Sequence, residues 1–394
     1  MSRSLFWNTF WGAMIVGGIG GMYLVSVTQI VTSMVSEWGF SDQQAGMATT
    51  MHTLGSLLGM IYIFFWIDRL DIRKSMLVAL VATAICEGIV ALSGDPTVVI
   101  SIRLFAGIAS GMAFSMGLAL LGYLPNSERL FALAMAASFV TAVISLSLWP
   151  TLLEWWGLEG IFWLYSITTV LCLPFIRLLP ISVKVFESSS DPMEELGLAD
   201  LFRGAPLVIT LAYLLFYVGN TAIWTFAAQI GTGQGLPLEE VTELLSLSLA
   251  AGFSASLLAT WIGNRMGYSI SLLIGMGVIF GSSFFMFEIT DGNSYLLAFA
   301  LFNFGFSFAI PYFQGVQSTL DPSGRLLIIG LMTVSAGFFF GPALASLLLD
   351  GKGYDNLYWM GAACFGLALV AVQLVVLRGL GKEGQSAGVS QTAS

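Results

Sequence analysis

Three ionisable side chains lie inside long apolar stretches of this sequence: His52, Glu87 and Arg103. A charged side chain inside hydrocarbon costs about 3 kcal/mol on insertion scales, so such residues usually have a partner or a function. A carboxylate and a guanidinium lower each other's burial cost as an ion pair, and an imidazole can pass protons. The sequence therefore predicts either a proton relay of all three residues, or a structural Glu87–Arg103 pair beside a hydrogen-bonded His52. A third interpretation is that Arg103 reaches out to the membrane surface.

Lipid must be the solvent for most of this chain. Hydrophobic residues make up 57 % of the 394 residues and charged residues 9 %, whereas soluble domains carry roughly 25 % charge. A bilayer is crossed by about 20 apolar residues, and backbone groups in lipid must pair within a helix. We predict an all-α integral membrane protein with twelve transmembrane helices, at 6–35, 44–67, 75–93, 97–122, 131–153, 158–179, 206–230, 240–262, 269–288, 294–318, 326–349 and 355–378.

The positive charges mark one side of the membrane. Of 14 Lys and Arg residues, Arg103 lies well inside a predicted span and only Lys352 falls in a loop on the opposite side; the other twelve lie at the termini or in and beside the loops of one side. Cytoplasmic loops carry the excess of Lys and Arg, so we expect both termini in the cytoplasm, in a bacterial inner membrane. No basic patch for nucleic acid is present.

The chain repeats itself at a fixed offset. Asp68-Arg69 recurs as Asn264-Arg265 (264 − 68 = 196), and Arg129 recurs as Arg325 (325 − 129 = 196). A repeat of this length indicates a duplicated half of six helices, which is typical of transporters. We expect one bundle at 1–180, a cytoplasmic linker with a short amphipathic helix at 181–204, a second bundle at 205–380, and a disordered tail at 381–394.

Two motifs resemble those of the major facilitator superfamily. The loop after the second span reads Asp68-Arg69-Leu70-Asp71-Ile72-Arg73-Lys74, with Asp71 in place of the family's glycine. The fourth span contains Arg103-Leu104-Phe105-Ala106-Gly107-Ile108-Ala109-Ser110-Gly111, whose glycines allow a neighbouring helix to approach closely. The resemblance implies two pseudo-symmetric bundles and alternating access. It also implies a cytoplasmic gate formed by Asp68, Arg69, Arg73, Asn264, Arg265, Arg129 and Arg325; the alternative is that these charges only set orientation.

The family likeness also implies where a substrate binds, because helices one, four, seven and ten line its cavity. On those helices, polar and aromatic residues at helical spacing are Ser26 and Gln29, then Arg103, then Tyr217, Asn220 and Trp224, then Asn303, Ser307 and Gln314. Any one of these polar groups could simply form an interhelical hydrogen bond. Together they predict a site for a small-molecule substrate.

The function expected from these features is secondary active transport, with proton-coupled symport of a small organic solute as the leading hypothesis. Arg103 is the strong cation in reach, which favours an organic anion, although a neutral solute fits nearly as well. The alternatives are a proton-coupled efflux antiporter, whose glycine- and proline-rich signature is missing from helix five, and a copper transporter using some of the 17 methionines. We expect a monomer without cofactor or bound metal, and neither an enzyme nor a receptor, because no nucleophile–base set and no output domain is visible.

Overall fold

The computed structural model describes residues 2–187, 197, 199–348 and 354–377. In that part of the chain all regular structure is helical. The helices are α1 Arg3–Gly12, α2 Gly18–Val25, α3 Val27–Trp38, α4 Asp42–Trp66, α5 Ile72–Leu92, α6 Pro96–Gly122, α7 Ser127–Cys172, α8 Lys184–Glu187, α9 Gly204–Thr225, α10 Ala227–Gly233, α11 Leu238–Ile262, α12 Gly267–Phe285, α13 Gly292–Leu320, α14 Arg325–Leu348 and α15 Asp355–Val375.

Nine helical stretches of the described residues are long and apolar enough to cross a membrane. One of them, Glu243–Glu288, contains two predicted spans, α11 and α12, which a short 3-10 turn at Gly263–Met266 separates. Helix α7 also covers two predicted spans, and its backbone breaks at Gly157, where φ is 65°. These stretches cover ten of the twelve predicted spans; the other two, 6–35 and 131–153, also have helical backbone, in α1 to α3 and in the first part of α7.

Side-chain caps explain where several helices begin. Ser41 accepts from the backbone N–H of Gln44 in a capping box that starts α4, and Asp95 precedes Pro96 at the start of α6. Asp71 accepts from the backbone N–H of Lys74 at 3.1 Å and caps α5. Asp71, which stands where the motif has glycine, therefore has a local role as the N-cap of α5. The hydrogen bond also lowers the pKa of the Asp71 carboxyl below its ordinary value.

Two helices are interrupted, one in each half of the chain. The break between α2 and α3 lies at Ser26, with φ −109° and ψ 10°, and the break between α9 and α10 lies at Phe226, with φ −102° and ψ 11°. At each break, the residue's N–H bonds three residues back, to the carbonyl of Tyr23 or of Ile223. Paired interruptions of this kind are typical of the substrate-handling helices of transporters.

The chain divides into two compact units. The first comprises 1–125, 137–194 and 323–332, and the second comprises 126–136, 195–322 and 333–394. The start of α7 thus belongs to the second unit, and the start of α14 belongs to the first. Residues 188–196 and 198 of the predicted linker and the predicted tail at 381–394 lie outside the described residues.

Close packing of α4 against α6 organises the first unit. A Cβ added at Gly107 would overlap the backbone of His52, and one added at Gly111 would overlap that of Ser56. On the facing helix, a Cβ at Gly55 would overlap the carbonyl of Leu104. The glycines of the fourth span therefore do bring a neighbouring helix into backbone contact, and His52 is carried against the helix that holds Arg103.

Candidate functional site

The centre of the first unit is a buried ion pair. Both terminal nitrogens of Arg103 donate to the Glu87 carboxylate, at 3.0 and 2.9 Å, from α6 to α5. The Arg103 side chain is 0 % exposed and that of Glu87 is 4 % exposed. A bidentate pair of this geometry fixes both side chains and neutralises both charges. Arg103 therefore does not reach out to the membrane surface.

Two aromatic rings pack against the guanidinium. The Arg103 Cζ lies 4.7 Å from the ring centroid of Tyr23 and 4.7 Å from that of Phe162. Cation–π contacts of this kind are worth about 2 kcal/mol each when desolvated. The ion pair, Tyr23 and Phe162 form what we call the arginine cage. The Arg103 Nε, inside the cage, has no hydrogen-bond partner among the described residues.

His52 lies beside the cage. Its ring packs on Tyr23 with a centroid distance of 3.9 Å, and its Nε2 lies 3.4 Å from the Ser110 hydroxyl. The Nδ1 of His52 is buried, and nothing in the described part of the chain bonds to it. The structure thus places the three ionisable residues of the apolar stretches in one cluster of the first unit.

Other predicted residues of the first unit lie at the helix break. The Ser26 hydroxyl is 2.8 Å from that of Ser145, which ties the break to α7. The carbonyl oxygen of the Gln29 side chain is buried and lacks a partner within the described residues. The Tyr165 hydroxyl of α7 also faces Ser26. This end of α2 and α3 therefore carries polar groups that the fold itself does not fully satisfy.

The second unit contributes a different surface, on α9 and α13. On α9, the Tyr217 ring lies edge-on to Phe306 at 5.5 Å, and the Trp224 ring lies 6.5 Å from that of Phe299. Asn220, between Tyr217 and Trp224 on α9, is buried. Asn303 donates to the Ser248 hydroxyl at 2.9 Å. The Ser307 hydroxyl is fully buried and has no partner among the described residues, and Gln314 is partly exposed.

The predicted gate residues of the first unit do make specific contacts. Arg325 forms an ion pair with Asp68. Arg73 Nε donates to the carbonyl of Leu179 at 2.6 Å, and the Arg69 guanidinium lies 5.6 Å from the Trp66 ring. The loop after α4 is therefore tied to the start of α14 by charge.

The repeated loop of the second unit uses different contacts. Arg129 lies against Gly263, and Arg265 repeats the stacking of Arg69 at 5.6 Å from Trp261. Asn264, at the position equivalent to Asp68, brings no charge. The acidic residue near this loop is instead Glu128 of α7. Its side chain is buried and accepts a hydrogen bond from the Tyr268 hydroxyl at 3.4 Å.

Sequence reasoning missed four residues of these clusters: Tyr23, Phe162, Glu128 and Tyr268. Tyr23 and Phe162 had no signal, because aromatic residues are common in every apolar stretch. Glu128 did have one, since it stands beside Arg129 in the repeat, where the other copy has Gly324. Among the described residues, no group of three or more His, Cys, Asp and Glu side chains could hold a metal ion.

Comparison with known proteins gives one family. The model of the Major Facilitator Superfamily matches residues 9–325, which is most of the chain. The chain belongs to the major facilitator superfamily. It is therefore an integral membrane protein with the transporter fold of that family, and the fold class expected from the sequence is confirmed. Comparison with curated protein sequences gives no significant match.

Solved structures of the superfamily resemble the whole chain. The Escherichia coli fucose:proton symporter FucP matches with a TM-score of 0.75 at 14 % identity, covering 95 % of this chain and 99 % of that one. A bacterial homologue of the iron transporter ferroportin matches at 0.73 and 16 % identity, covering 95 % and 100 %. The human organic anion transporter MFSD10 matches at 0.69 and 16 %, covering 94 % and 99 %. Likeness at these identities shows the fold alone.

Proposed function

We propose that this superfamily member is a secondary active transporter that takes up a small organic anion together with a proton by alternating access. The observation that carries the proposal is the arginine cage, in which a carboxylate and a guanidinium neutralise each other away from water. The relatives move different substrates, so coupling and substrate class are argued from this chain's own residues.

Protonation of Glu87 and binding of an anion at Arg103 must favour each other. A proton added to Glu87 leaves Arg103 as an unpaired buried cation, and breaking a buried pair in this way costs about 3–5 kcal/mol. An anion that replaces the carboxylate at Arg103 removes that cost. Each ligand then strengthens the other's binding by roughly two to four powers of ten, because every 1.4 kcal/mol is tenfold. Linked binding of this strength is what symport requires.

Access to Arg103 needs a conformational change, since the side chain has no exposure in this structure. Opening of the pair would free both terminal nitrogens as well as the unpartnered Nε. We propose that the Asp68–Arg325 ion pair, with Arg69, Arg73, Arg129, Asn264 and Arg265, acts as the cytoplasmic gate that stabilises one state of the cycle. We further propose that the protein lies in a bacterial inner membrane with both termini on the cytoplasmic side. One copy of the chain, with its bundles at 1–180 and 205–380, would then be the working unit.

We assign His52 a neutral, hydrogen-bonding role. A protonated His52 would place a second positive charge beside Arg103 in a site that excludes water, which is unfavourable at these distances. His52 then keeps Tyr23 against the guanidinium and does not carry the transported proton. A His52→Gln variant should therefore keep proton-driven uptake.

The test uses purified protein in liposomes loaded with a pH-sensitive dye, with benzoate and lactate as probes and protein-free liposomes for the background of passive permeation. With the wild type, an inward proton gradient should drive accumulation of a probe, and the probe should drive acidification of the lumen. Glu87→Gln should abolish both, while exchange of labelled for unlabelled probe survives. Glu87→Asp, which keeps the acid, should restore part of the coupling.

Two results would overturn the proposal. If Glu87→Gln leaves the pH dependence of uptake unchanged, Glu87 is not the proton acceptor. If energised vesicles extrude the probes rather than accumulate them, the protein is an exporter.

A further inference from the structure

Basic side chains gather where the start of α5 meets the chain that follows α7. The backbone N–H of Ile72 donates to the carbonyl of Ile181 at 2.8 Å, and the Arg73 Nε donates to the carbonyl of Leu179 at 2.6 Å. These bonds join two segments of the first unit. We call the joined segments the basic corner, residues 71–74 and 177–184.

The basic corner has a net positive charge. Four cations and one acid give it a charge of +3 (4 − 1): Arg73, Lys74, Arg177, Lys184 and Asp71. Lys74 lies 3.3 Å from Asp71, but its side chain is 84 % exposed. Arg177 and Lys184 are exposed as well. Cations at a membrane surface attract anionic lipid headgroups, so this charge favours a negatively charged ligand.

Arg73 is held in a position that suits a phosphate group. Its side chain is half-buried, and the bond from its Nε to Leu179 fixes the guanidinium, whose terminal nitrogens make no hydrogen bond to a described residue. Two adjacent N–H donors of a guanidinium match two oxygens of a phosphate. The chain after α7 is anchored too, because the Phe186 ring stacks on Tyr123 of α6 at 5.3 Å. Little order therefore remains to be gained on binding.

An exposed apolar strip continues from the basic corner into the membrane. The Ser166 hydroxyl donates to the carbonyl of Ala84 at 2.8 Å and Gly88 lies against the Trp163 ring, so α5 and the second part of α7 run antiparallel away from the corner. Between the corner and these contacts, both helices expose apolar side chains: Leu77, Val78, Val81, Val170, Leu171 and Phe175. The rise from Arg73 to Ala84 is about 16 Å at helical pitch, close to half the hydrocarbon thickness of a bilayer.

We infer that the basic corner binds the phosphate of an anionic phospholipid, whose acyl chains lie along the exposed strip of α5 and α7. The Arg73 guanidinium takes the phosphate, and Lys74, Arg177 and Lys184 supply the surrounding positive charge. A soluble acidic partner would use the charges but not the apolar strip. The inference does not rest on the proposed function, because the site lies on the third and sixth predicted spans, away from the helices expected to bind substrate.

The test is a lipid titration of the full-length protein in detergent micelles, followed by native mass spectrometry. The probes are phosphatidylglycerol, cardiolipin, phosphatidylcholine and glycerol 3-phosphate. The two anionic lipids should bind on the order of tenfold more tightly than phosphatidylcholine, because its choline group cancels the phosphate charge. Glycerol 3-phosphate, which has no acyl chain, should bind more weakly than phosphatidylglycerol.

Variants locate the site. Arg177→Gln/Lys184→Gln should weaken phosphatidylglycerol binding by roughly 25-fold, since each cation near the surface contributes about fivefold, or about 1 kcal/mol. This variant changes only exposed side chains, so its melting temperature should match that of the wild type. Arg73→Gln should also weaken binding, and Arg73→Lys should restore part of it. Arg203→Gln is the matched control, because Arg203 is an exposed cation of the second unit, outside the basic corner.

Three results would overturn the inference. Equal binding of phosphatidylglycerol and phosphatidylcholine would show that headgroup charge is not read. Wild-type binding by Arg177→Gln/Lys184→Gln, or an equal loss in Arg203→Gln, would show that the basic corner is not the site and that its charges only set orientation. Glycerol 3-phosphate binding as tightly as phosphatidylglycerol would show that the apolar strip holds no acyl chain.

Discussion

Separating the two members of the Glu87–Arg103 pair should cost far more stability than removing both. In Glu87→Gln, the Arg103 guanidinium stays buried against Tyr23 and Phe162 but loses two charged hydrogen bonds, of 3.0 and 2.9 Å. Breaking a buried pair from one side costs about 3–5 kcal/mol. Arg103→Gln should cost a similar amount, because it leaves the Glu87 carboxylate without its cation.

The double variant Glu87→Gln/Arg103→Gln leaves no buried charge. Two amides can hydrogen-bond to each other, so its loss should be about 1–3 kcal/mol, which is less than either single loss. The interaction energy of the cycle is then about 3–9 kcal/mol, which lies at or above the upper end of the usual range for contacting residues. We would measure it from the free energy of unfolding in mixed micelles with increasing dodecyl sulfate.

The matched control is the exposed ion pair of Lys74 and Asp71, 3.3 Å apart, in which the Lys74 side chain is 84 % exposed. Solvent screens such a pair, so Lys74→Gln should change stability by less than about 1 kcal/mol. Two results would refute the reasoning that each charge of the pair depends on the other for its burial. One is a double variant whose loss of stability equals the sum of the single losses. The other is a Glu87→Gln variant that is as stable as Lys74→Gln.

Three further predictions follow from particular contacts. Asp68→Asn and Arg325→Gln should each lower the free energy of unfolding by about 1–2 kcal/mol, with little added loss in the double variant. Additive losses would contradict the pairing. Asn264→Asp should be nearly neutral, because the acidic residue near that loop is Glu128. Gly55→Ala should destabilise the protein strongly or prevent folding, because the added methyl group would overlap the carbonyl of Leu104. Gly46→Ala, on the same helix, should stabilise it by up to about 1 kcal/mol, because a Cβ there would meet no atom within 4 Å. Similar melting curves for the two variants would count against close packing of α4 on α6. Asp71→Ala should cost about 1 kcal/mol of stability at pH 7. Because the pKa of Asp71 is lowered in the folded state, its contribution is fully present above the ordinary pKa and is lost as the pH falls through the folded-state pKa. The stabilities of the wild type and of Asp71→Ala should therefore converge when they are measured at increasingly acidic pH.

Much of the fold could be predicted because lipid leaves the chain few choices. A stretch of apolar residues with no water around it must pair its backbone within a helix, so length and hydropathy decide the spans. Some helix starts also follow a local pattern, as at Asp95-Pro96, where an N-cap is followed by proline at the first position of α6. Asp71 caps α5 by an equally local contact, with the backbone N–H of Lys74.

The candidate site was only partly predictable. Glu87, Arg103 and His52 stood out because each is costly in lipid, and the structure brings the three together. The aromatic partners did not stand out, since Tyr23 and Phe162 are ordinary residues of apolar helices.

The sequence by itself determined the membrane as solvent, the helical spans and the superfamily, because each of these depends on composition or on residues close together along the chain. Only the tertiary structure decided that Arg103 is paired with Glu87 beside two rings, and that the acid of the second unit stands at Glu128 rather than at Asn264. Contacts between residues 16 to 257 positions apart, such as Glu87–Arg103 and Asp68–Arg325, depend on how helices pack, and glycines such as Gly107 set that packing.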